Sequence, residues 1–225
     1  MTRGASGPPD RLRVLVIAPT PFFGDRGCHV RIYEEISNLS SLGVESLVVT
    51  YAAGRDVPGI ATVRAPRLIG MSPKPLGPSY NRPILDAALC VTALGAARRF
   101  QPHVLHAHLH EGIAIGSIVR WRAGVPLVAD LQGSFTAELV DHGYLRRAPM
   151  VAALGRLERL LVGRPDRLLV SSVAGVRFLA EQGVPVPRIV SLPDGVDLDV
   201  FRPLPRDPAL VARFQLAGRP VVVFL

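Results

Sequence analysis

A chain of 225 residues with 48% hydrophobic and 20% charged residues has the composition of a folded globular protein, which excludes general disorder. Its two cysteines, Cys28 and Cys90, exclude a disulfide framework or a cysteine-type zinc site, and no apolar run approaches the roughly 20 residues of a membrane-spanning helix. The formal net charge of +8 points to anionic partners, but with no polybasic tract interleaved with aromatics, and no helix-turn-helix or zinc-finger spacing, nucleic acid is not expected among them.

Residues 1–11 are polar and rich in Gly and Pro, and are expected to be a disordered tail. No apolar stretch of a signal peptide stands behind them, so a cytoplasmic location is expected. Residues 12–18 (LRVLVIA) form a continuous β-branched run of the kind found in a buried parallel strand. A loop with two prolines and two glycines follows. The spacing of Val30, Ile32, Tyr33, Ile36, Leu39 and Leu42 then predicts a helix over 28–42, stopped by Gly43. Strands are predicted at 45–51 and 60–65, and a long Pro- and Gly-rich loop at 66–83, of a length often associated with binding. Beyond it the pattern alternates: helix 84–100, strand 103–107, helix 112–122, strand 125–131, helices 136–142 and 150–162, strand 167–171, helix 173–182 and strand 188–192.

Such alternation predicts an α/β fold, a doubly wound and mostly parallel Rossmann-like sheet with helices on both faces. Residues 12–203 are read as this domain. Residues 204–225 are read as a linker, a short helix over 208–216 and an apolar strand over 220–225. A lone parallel strand cannot bury both its faces, so this one is read as the opening of a further domain.

Three stretches together resemble the glycosyltransferase family 4 type, whose GT-B fold pairs two Rossmann-like domains. One is the first strand with Pro19-Thr20-Pro21 and Gly24-Asp25-Arg26-Gly27-Cys28-His29-Val30-Arg31. Another is Pro102-His103-Val104-Leu105-His106-Ala107-His108, similar to the family's strand ending in H-x-H, with His103 in place of the usual Asp. The most specific is the run over 188–203, RIVSLPDGVDLDVFRP, which is similar to the family's interdomain signature, with Asp194 in place of Asn. The resemblance implies the N-terminal, acceptor-side half of a transferase that moves a sugar from a nucleotide-sugar donor to a glycan, lipid or small-molecule acceptor, with retention. It implies no metal and no other cofactor. The E-x7-E motif and most donor contacts would lie on a C-terminal domain or a partner subunit, without which the chain would be inactive. A non-catalytic sugar- or nucleotide-binding remnant and one subunit of a split transferase are the alternatives.

Individual residues carry separate expectations. A glycine at a helix N-terminus lets a phosphate approach backbone N–H groups, which makes Gly24 and Gly27 candidates for the donor phosphate, with Arg26 and Arg31 adding charge. The absence of G-x-G-x-x-G disfavours NAD or FAD. By resemblance, His108 would hold the transferred sugar and is the catalytic candidate. The residues His106 and His108, with Glu111 and Asp130, also admit a less favoured metal-hydrolase reading, whereas His103 and His110 read as surface or loop histidines. Asp130, Gly133 and Ser134 end another strand and could meet acceptor hydroxyls. Ser171 and Ser172 read as a helix cap. The Arg-rich amphipathic stretch at 144–167 reads either as a sheet-packing helix, the favoured alternative, or as a peripheral contact with anionic membrane.

Overall fold

The computed structural model describes residues 11–24, 26–70 and 81–222. The N-terminal tail, the middle of the 66–83 loop and the last three residues of the expected strand at 220–225 lie outside them. Residues 220–222 have no regular secondary structure. The chain divides into two compact units between Asp194 and Gly195.

The first unit is a seven-stranded sheet, all parallel: β1 (Arg13–Ala18), β2 (Glu45–Thr50), β3 (Ala61–Arg64), β4 (Val104–His108), β5 (Leu127–Leu131), β6 (Arg167–Val170) and β7 (Ile189–Ser191), in the order β3-β2-β1-β4-β5-β6-β7. Its helices are α1 (Gly27–Ser41), α2 (Arg82–Phe100), α3 (Leu109–Ala123), α4 (Phe135–Asp141), α5 (Ala148–Val162) and α6 (Val173–Glu181). Strand order reverses between β1 and β4, and in such sheets the ligand crevice opens beyond the strand C-termini at this switch point.

Both faces of the sheet are covered, and the alternation of β1 shows how. Leu15 and Ile17 pack with Leu89, Ala93, Ile113 and Val119 of α2 and α3. Val14, Val16 and Ala18 pack with Ile32 and Ile36 of α1. The register Val16↔His106 carries this division into β4, and Leu105 and Ala107 join the α2/α3 core. His106 and His108 therefore face α1, at positions where a parallel sheet usually holds apolar residues.

Local signals explain most helix ends. Ser134 accepts the Ala137 N–H to cap α4, and Ser172 accepts the Gly175 N–H at 3.1 Å to cap α6. Ser172→Ala is expected to lower stability by about 1 kcal/mol in urea unfolding. Gly124, in the left-handed region at φ 69, ends α3. The Arg-rich stretch forms α5, which turns Glu158 and Val162 inward and leaves Met150, Leu157 and Leu160 half exposed beside Arg156 and Arg159. Among the described residues no helix is long and apolar enough to cross a membrane.

In the second unit, Asp207 accepts the Ala209 N–H at 2.8 Å and caps the one-and-a-half-turn helix α7 (Pro208–Arg213).

Candidate functional site

The crevice edge is built by two strand-to-helix turns, β1 into α1 and β4 into α3. Gly112 brings them together: a Cβ there would stand 3.2 Å from the Ile17 carbonyl and 3.3 Å from Pro19, so a side chain would force the first turn of α3 off the end of β1. Leu109, at φ 63, turns the chain out of β4, an unfavourable conformation for a leucine that the packing on either side imposes.

Of the residues expected to contact phosphate, Gly27 opens α1. The N-cap residue of α1, Arg26, makes no side-chain capping hydrogen bond, and a Cβ on Gly27 would meet nothing within 4 Å among the described residues. Arg26 is the residue preceding the helix. Gly24 is turned to another purpose. The fully buried His29 ring has Nδ1 2.8 Å from both the N–H and the carbonyl of Gly24, while its Nε2 shares a hydrogen bond with Thr20. The imidazole thus fastens the loop from within, engaging Gly24 through its N–H or its carbonyl.

Arg31 and Asp130 also depart from expectation. Arg31 points into the protein, where Nε donates to Asp130 Oδ2 at 2.8 Å and Nη2 to Asp130 Oδ1 at 2.7 Å. Nη1 donates to Asp194 and to the Leu192 carbonyl, the latter at 3.3 Å. Glu35, one turn along α1, lies 3.1 Å from Nε. A guanidinium so fully engaged is not free to bind a phosphate, and Asp130, at 0% exposure, cannot reach an acceptor hydroxyl. Burial alone would raise the Asp130 carboxyl, but the adjacent His108 and the two hydrogen bonds from Arg31 outweigh it and hold the group below the usual carboxylate range.

The register His108↔Asp130 sets these side chains next to each other on the face covered by α1. The His108 Nδ1 lies 3.4 Å from Asp130 Oδ2, and its Nε2 lies 3.7 Å from Glu35 Oε2. The same Glu35 oxygen is 3.5 Å from His106 Nε2, and the two imidazoles are 4.5 Å apart. His108 is 1% exposed, so its ring forms the floor beneath the crevice, and direct contact with a sugar is not open in this structure. Burial, with smaller opposing effects from His108 and Arg31 and reinforcing ones from Asp130 and Asp194, pushes Glu35 up to about 7. Burial and the neighbouring His108 push His106 down to about 3.

His110 is not the surface histidine expected. It is buried in the first turn of α3, with Nε2 3.0 Å from Glu158 Oε1. Glu158 also accepts the Phe135 N–H at 2.7 Å and the Ser134 hydroxyl at 3.0 Å, so Ser134 is occupied by the start of α4 and not by an acceptor. Burial would raise Glu158, but the neighbouring His110, Thr136 and Ser134 hold it at about 2. Gly133 is exposed, with open space where a Cβ would stand. His103 accepts the Arg13 N–H at the far end of β4, as a structural histidine should. Glu111 pairs with Arg82 at 2.7 Å, joining α2 to α3, and takes no part in the histidine cluster.

Comparison with known proteins gives a consistent picture. A family model described as "Glycosyl transferase 4-like domain" matches residues 26–195. The chain is 29% identical over 201 residues to a D-inositol 3-phosphate glycosyltransferase of Thermobispora bispora, covering 84% of this chain and 46% of the relative. It is 27% identical over 250 residues to the protein of that name from Mycobacterium tuberculosis, covering 100% and 51%. The chain thus spans about half the length of the curated relatives it matches. Among solved structures, sucrose-phosphate synthase from Thermosynechococcus elongatus aligns with a TM-score of 0.69 at 13% identity, over 92% of this chain and 52% of that one. Anabaena HepE in complex with UDP and glucose aligns with a TM-score of 0.61 at 13% identity, over 92% and 50%. The shared architecture is that of one Rossmann-like half of a GT-B fold.

Proposed function

Because this chain belongs to the glycosyl transferase 4-like domain family, we propose that it supplies the acceptor side and part of the diphosphate site of a transferase that moves a sugar from a nucleotide-sugar donor to an acceptor with retention. The observation that carries this reading is the switch-point crevice between β1 and β4, flanked on one side by the N-terminus of α1 at Gly27, where the N-cap residue Arg26 gives no side-chain cap. First-turn N–H groups and the helix dipole there suit a diphosphate, with Arg26 beside them. Gly133 offers backbone to the acceptor, and His108, its ring set between Asp130 and Glu35, lies under the transferred sugar. Chemistry of this kind asks the protein for positioning and electrostatic stabilisation, which a preorganised floor provides. A second domain, on the same chain or on a partner, would hold most of the donor.

The test is a titration of the 15N-labelled chain with UDP-glucose, followed by NMR, which detects weak binding and maps it. Shifts are expected at the amides of Gly27 and Cys28 and at the turn after His108. In Gly27→Val, whose Cβ would meet nothing within 4 Å among the described residues and whose melting temperature is expected to stay close to the parent's, they should weaken by about tenfold in affinity or more. Shifts scattered elsewhere, or undiminished in Gly27→Val, would remove the phosphate from this helix.

A further inference from the structure

We propose that Glu35, His106 and His108 form a binding site for a single divalent transition ion of the zinc class. The sequence reading expected no metal, and its weaker metal alternative relied on Glu111, which is committed to Arg82. The residue that completes the set is Glu35, brought by α1 over the two histidines of β4.

The geometry fits such an ion. One ligand atom from each of the three residues can be chosen so that all lie within 4.8 Å of one another. From Glu35 Oε2 the two imidazole Nε2 atoms stand at 3.5 and 3.7 Å. Those separations are too long for hydrogen bonds. Ligands bound tetrahedrally at about 2.0–2.1 Å are about 3.3–3.4 Å from each other, so the two separations from Glu35 are already close to those of a bound set, and the whole set, within 4.8 Å, would draw together around an ion. Glu35 Oε2 and the Nε2 atoms of His106 and His108 are buried without a hydrogen-bond partner, a concentration of unmet polar groups that one cation would satisfy.

The surroundings suit the same occupant. The other nitrogen of His108, Nδ1, faces Asp130 at 3.4 Å, and Asp130 is in turn fixed by two hydrogen bonds from Arg31. Carboxylate behind imidazole behind metal is the usual outer arrangement of a histidine ligand, because it fixes the ring and raises its basicity. The single guanidinium of Arg31 is shared among Glu35, Asp130 and Asp194, so a divalent ion that displaced the Glu35 proton would find carboxylate charge to balance. Two imidazoles and one carboxylate are ligands for zinc, cobalt or iron and not for calcium or magnesium, which prefer oxygen. Three protein ligands also leave a position open to water or to an oxygen of a bound substrate. The inference does not rest on the transferase reading, although an ion here would compete with a sugar for the same face of His108.

The experiment is titration of the metal-free 225-residue chain with cobalt(II), followed by its visible absorption and by displacement with zinc. One equivalent should bind and give the intense bands of a low-coordinate site, which zinc then abolishes. Glu35→Gln and His106→Ala should each weaken binding by more than the ~10–100-fold typical of losing an outer partner. His142→Ala, a change on the exposed end of α4, should leave it intact. Circular dichroism on each variant establishes that the fold persists. No saturable binding in the parent, full binding in Glu35→Gln, or loss in His142→Ala would each overturn the proposal. UDP-glucose binding, measured on the metal-free chain, succeeds or fails independently of these outcomes.

Discussion

Arg31→Met is expected to destabilise the fold by about 3–5 kcal/mol, measured by urea unfolding at neutral pH, a large part of the 5–15 kcal/mol that a domain usually has. The size comes from what is left behind. Asp130 is 0% exposed and receives two guanidinium hydrogen bonds, so methionine strands a buried carboxylate with only His108 near it, at 3.4 Å. In an Asp130→Asn background the same Arg31 change should cost less than half as much, because no charge is stranded. The pH dependence provides a second check. A carboxyl held below its ordinary 3.8 in the folded state contributes stability above that value, and this is lost as pH falls through the folded value. In Arg31→Met the part of that contribution due to the guanidinium is already absent, so the gap between parent and variant should narrow as the medium is acidified. A constant gap would mean that Arg31 acts through packing alone.

The sheet was legible in the sequence because β-branched runs such as LRVLVIA alternate with helices of clear period, and the described strands and helices fall within a few residues of expectation. The seat of the site, at the ends of β1 and β4, followed from the same pattern. Its wiring did not. Arg31 reads as a phosphate ligand because it follows a glycine-bearing loop, and its true partner, Asp130, is 99 residues away. Only the register His108↔Asp130 and the choice of face place the two together, and a short parallel strand does not announce either. Gly24 reads as an open turn because nothing marks His29 as the buried ring that grips it. Glu35 was missed altogether, yet a signal existed. Arg31 and Glu35 are one turn apart and adjoin the inward stripe of Ile32 and Ile36, so α1 carries an i,i+4 ion pair at the edge of its buried face. Opposite inward-facing histidines, that pair is a polar cluster in the making.

Glu35→Gln is expected to raise stability by about 3 kcal/mol at mildly alkaline pH and by almost nothing near pH 4. The folded protein holds the Glu35 carboxyl at about 7 against an ordinary 4.5. A carboxyl raised on folding contributes stability that is fully present below the unfolded value and is lost as pH rises through the folded one. His106 works the other way: held at about 3 against an ordinary 6.5, it contributes stability above 6.5 that is lost as pH falls toward 3. In the parent these two trends offset each other between 4.5 and 6.5, so its own profile hides both. The difference between variant and parent isolates Glu35, and should climb from near zero at pH 4.5 to its plateau just above pH 7. His108, Arg31, Asp130 and Asp194 also face the group and persist in both proteins, so their contributions largely cancel. A difference independent of pH would make Glu35 an ordinary ionised partner of Arg31. A rising one has a further meaning. If a neutral amide of the same shape serves the fold better, then packing does not account for the carboxylate, and its oxygens are held beside His106 and His108 at a cost to stability that a ligand repays.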